Sequence, residues 1–387
     1  MKRHLATFLL ILICSLMSAQ EENIAILHGP YLQNVNSDEA TIVWVSNLPS
    51  VGWVEIAPDD GTNFYAMERA KIFDSRHGIK NQGRIHRVRL QGLTPGTTYR
   101  YRIYSTQIKE HRANYICYGP TAATDVYNKA PLKFRTLDPA QKEVSFAMVN
   151  DIHGDVAKME SLLKQCDMDK TDMILFVGDM VSQFNSEEQV FGGFMDKAVE
   201  LFASQKPMFY TRGNHETRGE IAYDFQDYFS PSQDHIYYMF RQGPVCFVAL
   251  DCGEDKPDSD IEYSDANVYS EYRTEQAEWL KKVIQTEEFK SAPFKIVTCH
   301  MPPMGGWFGP EEIKQKFIPI LNEAGVDILL CGHTHRHSFH KAGELANFPV
   351  MVNSAKEVLK CNVDGKNLKI ETVGTDGKVT DTFSLKK

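Results

Sequence analysis

The hydrophobic pattern changes character along the chain. From residue 24 to 138, apolar and polar positions alternate in short runs divided by turn clusters such as Pro58-Asp59-Asp60-Gly61. That period of two predicts strands at 25–33, 40–46, 52–57, 86–90, 98–105 and 132–136. Closely spaced strands without an intervening helix predict a β-sandwich. A turn from Leu93 to Thr98 feeds a strand whose early Tyr99 can hydrogen-bond back to the corner. Trp44 is expected between the two sheets. His77 and His86 stand alone and are expected at the surface or hydrogen-bonded, not in a site.

Asp138-Pro139-Ala140-Gln141-Lys142 forms the expected linker, and beyond it the rhythm becomes strand, loop, helix. Strands are predicted at 144–149, 172–177, 207–211, 294–298 and 326–330, with a hairpin at 236–240 and 245–250 across Gly243-Pro244. Helices are predicted at 156–166, 187–204, 274–286 and 311–323. This alternation implies layered α/β architecture with helices covering sheets. Four closing strands, at 348–353, 358–363, 368–373 and 379–385, are joined partly by Asp-Gly turns and should complete an antiparallel edge of the same unit. The expected organisation is a leader at 1–19, a sandwich at 22–138 and an α/β unit at 142–387.

Composition adds an address and removes some partners. With 387 residues the chain is too long for one ordinary core. A net charge of −9 argues against a protein that works by neutralising a nucleic-acid backbone, so the expected partner is a small substrate. Lys2, Arg3 and His4 precede an apolar run from Leu5 to Leu16, and Ser18-Ala19 offers small residues for cleavage. This predicts a signal peptide and a secreted or periplasmic protein, with lipidation at Cys14 as the alternative. No later stretch is long and apolar enough to span a membrane. Seven cysteines follow the leader. Cys246, Cys299 and Cys331 fall in predicted buried strands, whereas Cys117, Cys166, Cys252 and Cys361 are candidates for a bridge. Oligomeric state leaves no mark on the sequence.

The candidate chemistry centres on Ile174-Leu175-Phe176-Val177-Gly178-Asp179, a buried strand ending in a glycine and a carboxylate. Open α/β sheets hold ligands at such strand ends. Four other predicted strands also end in metal-type ligands: Asp151 and His153, Asn214 and His215, His300, and His333 with His335. Each pair spaced by two would aim both ligands the same way in extended chain. Asp, His and an Asn carbonyl suit zinc, manganese or iron, and the absence of thiolates argues against a purely structural zinc site. There are more ligands than one tetrahedral ion needs. Two ions need a shared group, and Asp179 is the natural bridge.

The ordered set Asp151-x-His153, Gly178-Asp179, Gly213-Asn214-His215-Glu216, His300 and Gly332-His333-x-His335 resembles the calcineurin-like metallophosphoesterase family. The preceding strands resemble a fibronectin type III sandwich, which makes the whole chain similar to purple acid phosphatases and their bacterial relatives. The resemblance implies a four-layer α/β/β/α domain. It places Asp151, His153, Asp179 and His335 on a first metal, and Asp179, Asn214, His300 and His333 on a second. It puts His215 near the leaving group. Two departures stand out. Ser182 occupies the position of the purple enzymes' tyrosine, and those enzymes lack a histidine at 153. Many relatives carry at 182 an Asp that orients the catalytic histidine; Glu216 or Asp155 are the carboxylates available to replace it.

The implied activity is hydrolysis of phosphate esters by metal-bound hydroxide, with His215 as acid and Asn214, Arg212 and Arg218 binding the substrate. A phosphomonoester is the expected substrate; phosphodiester or nucleotide hydrolysis, or a non-catalytic binding role, are the alternatives. A metalloprotease lacks its His-Glu-x-x-His helix. The loop Met301 to Trp307 is expected to wall the cleft, and the acidic segment Glu254 to Asp265 to shape access to it.

Overall fold

The computed structural model describes residues 22–125, 129–229 and 235–387. The leader, with Cys14, lies outside the described residues. The N-terminal module is all β. One sheet pairs β1 (Ile26–Gln33), β2 (Glu39–Ser46) and β4 (Ile85–Gln91); the other is built on β3 (Ser50–Pro58), β5 (Thr98–Arg112), β6 (Tyr115–Ala123) and β7 (Leu132–Arg135). Trp44 is fully buried between them and donates its indole N–H to Ser105 Oγ at 2.8 Å. Tyr99 closes its corner by accepting from the Thr94 N–H at 2.9 Å. β5 and β6 form a long hairpin whose outer half is largely exposed and polar, so β5 runs past the boundary at 105 where the alternation ends. His77 is exposed, whereas His86 is fully buried against Ser50.

The second module contains two six-stranded mixed sheets. The first runs, edge to edge, β10 (Met208–Thr211), β9 (Met173–Val177), β8 (Val144–Val149), β17 (Glu357–Val363), β18 (Asn367–Gly374) and β19 (Val379–Lys386). The second runs β11 (Tyr238–Gln242), β12 (Val245–Leu250), β13 (Phe294–Cys299), β14 (Ile328–Cys331), β16 (Val350–Val352) and β15 (Ser338–His340). β8, β9 and β10 are parallel, as are β12, β13, β14 and β16. Three of the four closing strands add the expected antiparallel edge to the first sheet, whereas the one expected at 348–353 joins the second sheet as β16, parallel to β14.

Three apolar clusters separate four layers. Phe146, Met148, Leu175, Phe247, Ile296 and Leu330 belong to the core that joins the two sheets. The far face of the first sheet packs under α1 (Val156–Leu163) and the helical stretch 187–203. The far face of the second packs under α2 (Tyr269–Val283), α3 (Phe308–Lys316) and α4 (Ile318–Ala324). The stretch 187–203 is not a regular α-helix: it widens into π turns at Phe191–Met195 and Val199–Ala203. Such widening is uncommon and invisible to a 3.6-residue pattern. The described cysteines are all free, so none of the four candidates forms a bridge; Cys166, Cys252 and Cys361 are instead buried.

The modules pack directly on each other. His28 stacks on Phe191 with centroids 4.0 Å apart and pairs with Asp196, while the Tyr31 and Tyr101 hydroxyls donate to Tyr228 O and Ser204 O. Among the described residues, no helix is long and apolar enough to cross a membrane.

Candidate metal centre

The residues named from the sequence meet where the parallel strands of both sheets end. Asp151 and His153 follow β8, Asp179 follows β9, and Asn214 and His215 follow β10; His300 follows β13, and His333 with His335 follow β14. Asp151, His153, Asp179, His333 and His335 all have left-handed backbone, with φ between 53° and 72°. This corrects the expectation of extended pairs. Each i, i+2 pair converges through a tight left-handed turn, a conformation uncommon outside glycine and concentrated at functional sites. The turns lace together: the N–H groups of Asp151, His153 and Gly154 donate to Gly178 O, Asp179 O and Met180 O at 2.9–3.0 Å.

Each buried carboxylate accepts backbone or amide N–H groups on one oxygen and faces imidazoles with the other. Asp151 Oδ2 accepts from Asn150 Nδ2 at 2.6 Å and from the His333 N–H at 2.9 Å. Its Oδ1 has no hydrogen-bond partner, though His335 Nε2 stands 3.1 Å away and the Nε2 atoms of His153 and His300 both 3.9 Å away. Asp179 Oδ1 accepts from the His215 N–H at 3.0 Å. Its Oδ2 lies 3.0 Å from His300 Nε2 and 3.9 Å from both His153 Nε2 and His215 Nε2. His300 Nε2 is itself buried without a hydrogen-bond partner, because Nδ1–H is spent on Val177 O at 2.8 Å. His333 Nδ1 and Asn214 Oδ1 are 3.1 Å apart. Three overlapping sets, Asp151-His153-His335, His153-Asp179-His215 and Asp179-His300-His333, bring their ligand atoms within 4.8 Å of one another. Lone pairs converging without donors fit bound cations.

The electrostatics point the same way. Burial alone would raise the Asp179 carboxyl, but the charge of His300 beside it outweighs burial and holds it below the usual range. Burial would lower His300, yet Asp179 and Asp151 push it up to about 10. Burial, with His300 next, pushes His333 down to about 4. Two negative carboxylates on a buried floor therefore demand positive charge at this spot, which a proton or a metal ion can supply.

The histidine expected to act as acid has an unforeseen partner. His215 Nδ1–H donates to the backbone carbonyl of Ser182 at 2.7 Å. Neither suggested carboxylate does this: Asp155 caps α1 through the Lys158 N–H, and Glu216 is buried beneath the site. A backbone carbonyl carries no side-chain identity, so no sequence motif could reveal it. The Ser182 hydroxyl approaches His153 Nδ1 at 3.5 Å.

The two arginines are committed elsewhere. Arg212 is largely but not fully covered, donates from Nε to Asp251 Oδ2 at 2.8 Å and lies over the Phe225 and Tyr269 rings. Arg218 grips Glu254 with two bonds of 2.6 and 2.8 Å, and Thr217 and Tyr263 donate hydroxyls to the same carboxylate. Arg212 is thus anchored through Nε, and Arg218 through Nε and Nη2, so both guanidiniums brace the loop after β10. Glu254 and Asp255 are accordingly buried scaffold, and the acidic segment becomes largely exposed only from residue 259 onward. Trp307 is half exposed at the start of α3.

Comparison with known proteins agrees with this geometry. Residues 144–337 match the calcineurin-like phosphoesterase model, and residues 29–114 match the purple acid phosphatase N-terminal domain. The chain is 24% identical to probable purple acid phosphatase 20 of Arabidopsis thaliana over 67% of its own length and 56% of that protein's. It is 24% identical to human acid phosphatase type 7 over 84% of its length and 72% of that protein's. The chain thus spans little more than half the length of its Arabidopsis relative. A purple acid phosphatase from yellow lupin seeds shares the fold, with a TM-score of 0.65 at 17% identity over 92% of this chain and 74% of that one. The chain belongs to the calcineurin-like phosphoesterase family and carries the N-terminal domain of the purple acid phosphatases.

Proposed function

We propose that this chain is a metal-dependent phosphoesterase acting on small phosphate monoesters. The observation that carries this reading is a pair of buried carboxylates turned toward imidazole nitrogens: Asp151 Oδ1 has no hydrogen-bond partner and stands 3.1 Å from His335 Nε2, and Asp179 Oδ2 stands 3.0 Å from His300 Nε2. A first ion would be held by Asp151, His153, Asp179 and His335, and a second by Asp179, Asn214, His300 and His333. Iron, manganese or zinc suits this donor set. Such a pair, when bound, supplies Lewis acidity toward the phosphoryl oxygens and makes a water acidic enough to ionise near pH ~7.

The chain's own residues supply the rest. The Ser182 carbonyl holds the His215 Nδ1–H, leaving Nε2 for the substrate. Protonated there, His215 gives its Nε2 proton to the ester oxygen as a water oxygen bonds to phosphorus and the ester P–O bond breaks, the bonding pair staying on the ester oxygen. The Asn214 amide orients the phosphoryl group. Arg212 and Arg218 serve as struts, fixing the loop after β10 through Asp251 and Glu254. The acid-phosphatase names of the relatives favour a monoester, and the basic-apolar leader at 1–19 favours export.

Purified protein with measured metal content, assayed across pH on para-nitrophenyl phosphate and on its bis-ester, tests the reading. Metal-dependent release from the monoester is the expected result. Preference for the bis-ester makes the protein a diesterase. Fully metallated protein inert toward both leaves only a binding role.

A further inference from the structure

Glu216 lies beneath the cleft with no exposed surface and takes no part in the reaction above. Its Oε2 accepts from the peptide N–H groups of Asp179 and Gly213, both at 2.9 Å. Its Oε1 accepts from the Met180 N–H at 2.7 Å, the Tyr210 hydroxyl at 2.8 Å and, more weakly, the Val181 N–H at 3.4 Å. These donors belong to different parts of the site. The loop 178–181 carries Asp179, and the loop 213–216 carries Asn214 and His215.

The two loops are in contact and cannot shift independently. A Cβ on Gly213 would fall 2.3 Å from Asp179 Oδ1, and one on Gly178 would fall 2.3 Å from His300 Nδ1. Asp179 Oδ1 is tied to the His215 N–H on the second loop. The direction in which Oδ2 faces His300, His153 and His215 therefore depends on how the loops are registered. That register is set by the carboxylate both loops share. A carboxylate offers about four lone-pair directions and no donor, which matches peptide N–H groups arriving from two sides plus a hydroxyl.

We propose that Glu216 is the positioning residue for the metal pair: it locks the Asp179 loop to the Asn214–His215 loop and so sets the bridging geometry of Asp179. The proposal rests on the metal-centre reading. Glu216→Gln would replace one acceptor oxygen with an NH2 group that meets N–H or O–H donors head on. Tyr210→Phe removes one hydrogen bond from the same carboxylate and touches no proposed ligand.

The test is titration of the full-length protein with Mn2+, followed by calorimetry and electron paramagnetic resonance, with circular dichroism and melting temperature recorded alongside. Wild type should bind two ions per chain and show the spectrum of a coupled pair. Glu216→Gln should bind about 10–100-fold more weakly and show the six-line signal of isolated ions. Tyr210→Phe should weaken binding less, in the same direction. A lowered melting temperature with wild-type affinity and coupling in both variants overturns the proposal, because Glu216 would then be ordinary core. Should Glu216→Gln fail to fold, the same criterion applied to Tyr210→Phe decides. Wild-type protein that takes up no Mn2+ instead overturns the metal-centre reading itself, before any variant is compared.

Discussion

Acidification should weaken the sandwich module through one residue, His86. The ring is fully buried beside Trp44, with centroids 5.0 Å apart, and its Nε2 is 2.7 Å from Ser50 Oγ. Its Nδ1 is buried without a partner, so a second proton would be an unsatisfied donor in an apolar core. Burial accordingly pushes His86 down to about 4. An unfolded histidine titrates near ~6.5. Above that pH neither state is protonated and stability is whole. As pH falls from ~6.5 toward about 4, the unfolded chain takes up a proton that the folded one refuses, and stability drops. The slope is about 1.4 kcal/mol per pH unit, so the loss is about 2 kcal/mol at pH 5. Carboxylates titrate in the same window, so the informative quantity is a difference. Urea unfolding of wild type and His86→Gln should be compared at pH 7 and pH 5, because Gln keeps a bond to Ser50 and cannot titrate. The gap between them should move by about 2 kcal/mol in favour of the variant on acidification. An unchanged gap would refute the argument and mean that the core admits a charged imidazole or water.

Other outcomes follow from the site. His215→Gln should lower kcat by about 10²–10⁴ on an alkyl phosphate, less on an aryl phosphate whose oxygen needs no proton, and leave metal content unchanged; equal losses on both substrates would remove the acid role. Arg218→Ala should strand the buried Glu254 carboxylate and cost about 3 kcal/mol or more of stability, seen as a lower melting temperature with little change in KM. A tenfold rise in KM at unchanged stability would instead restore Arg218 as a substrate ligand. Chelation should destabilise the protein, since ions present at about 100 times their Kd contribute about 2.7 kcal/mol; a melting temperature indifferent to EDTA would argue that nothing was bound.

The sequence made the architecture legible because both of its periods are strong. Alternation in residues such as Thr98 to Ser105, and apolar runs such as Ile174 to Val177, left little choice of element or layer. The cluster was legible because its residue types recur at strand ends, and parallel strands bring their ends together. What could not be read was anything set by backbone conformation. The left-handed turns at Asp151 and His333 look in sequence like two more residues of strand. The Ser182 carbonyl that holds His215 has no letter of its own. Arg212 and Arg218 read as phosphate ligands because they flank the Asn214-His215 pair; their pairing with Asp251 and Glu254 joins positions far apart in the chain and could not be read there.

Five acidic residues around this cleft therefore share a chemistry but not a role, and the number of donors reaching each one decides between roles. Glu216 receives N–H or O–H groups on both oxygens, so nothing remains to offer an ion. Asp251 and Glu254 are matched by guanidinium groups and further hydrogen bonds. Asp151 Oδ1 is left without a donor and Asp179 Oδ2 has only the His300 imidazole at 3.0 Å, whose Nδ1 is committed to Val177 O. A buried carboxylate costs several kcal/mol unless its lone pairs are answered, so incomplete satisfaction persists only where something else completes it. On that criterion the ligands and the scaffold separate without reference to any motif: the satisfied acids hold the loops, and the two that face imidazoles mark where positive charge belongs.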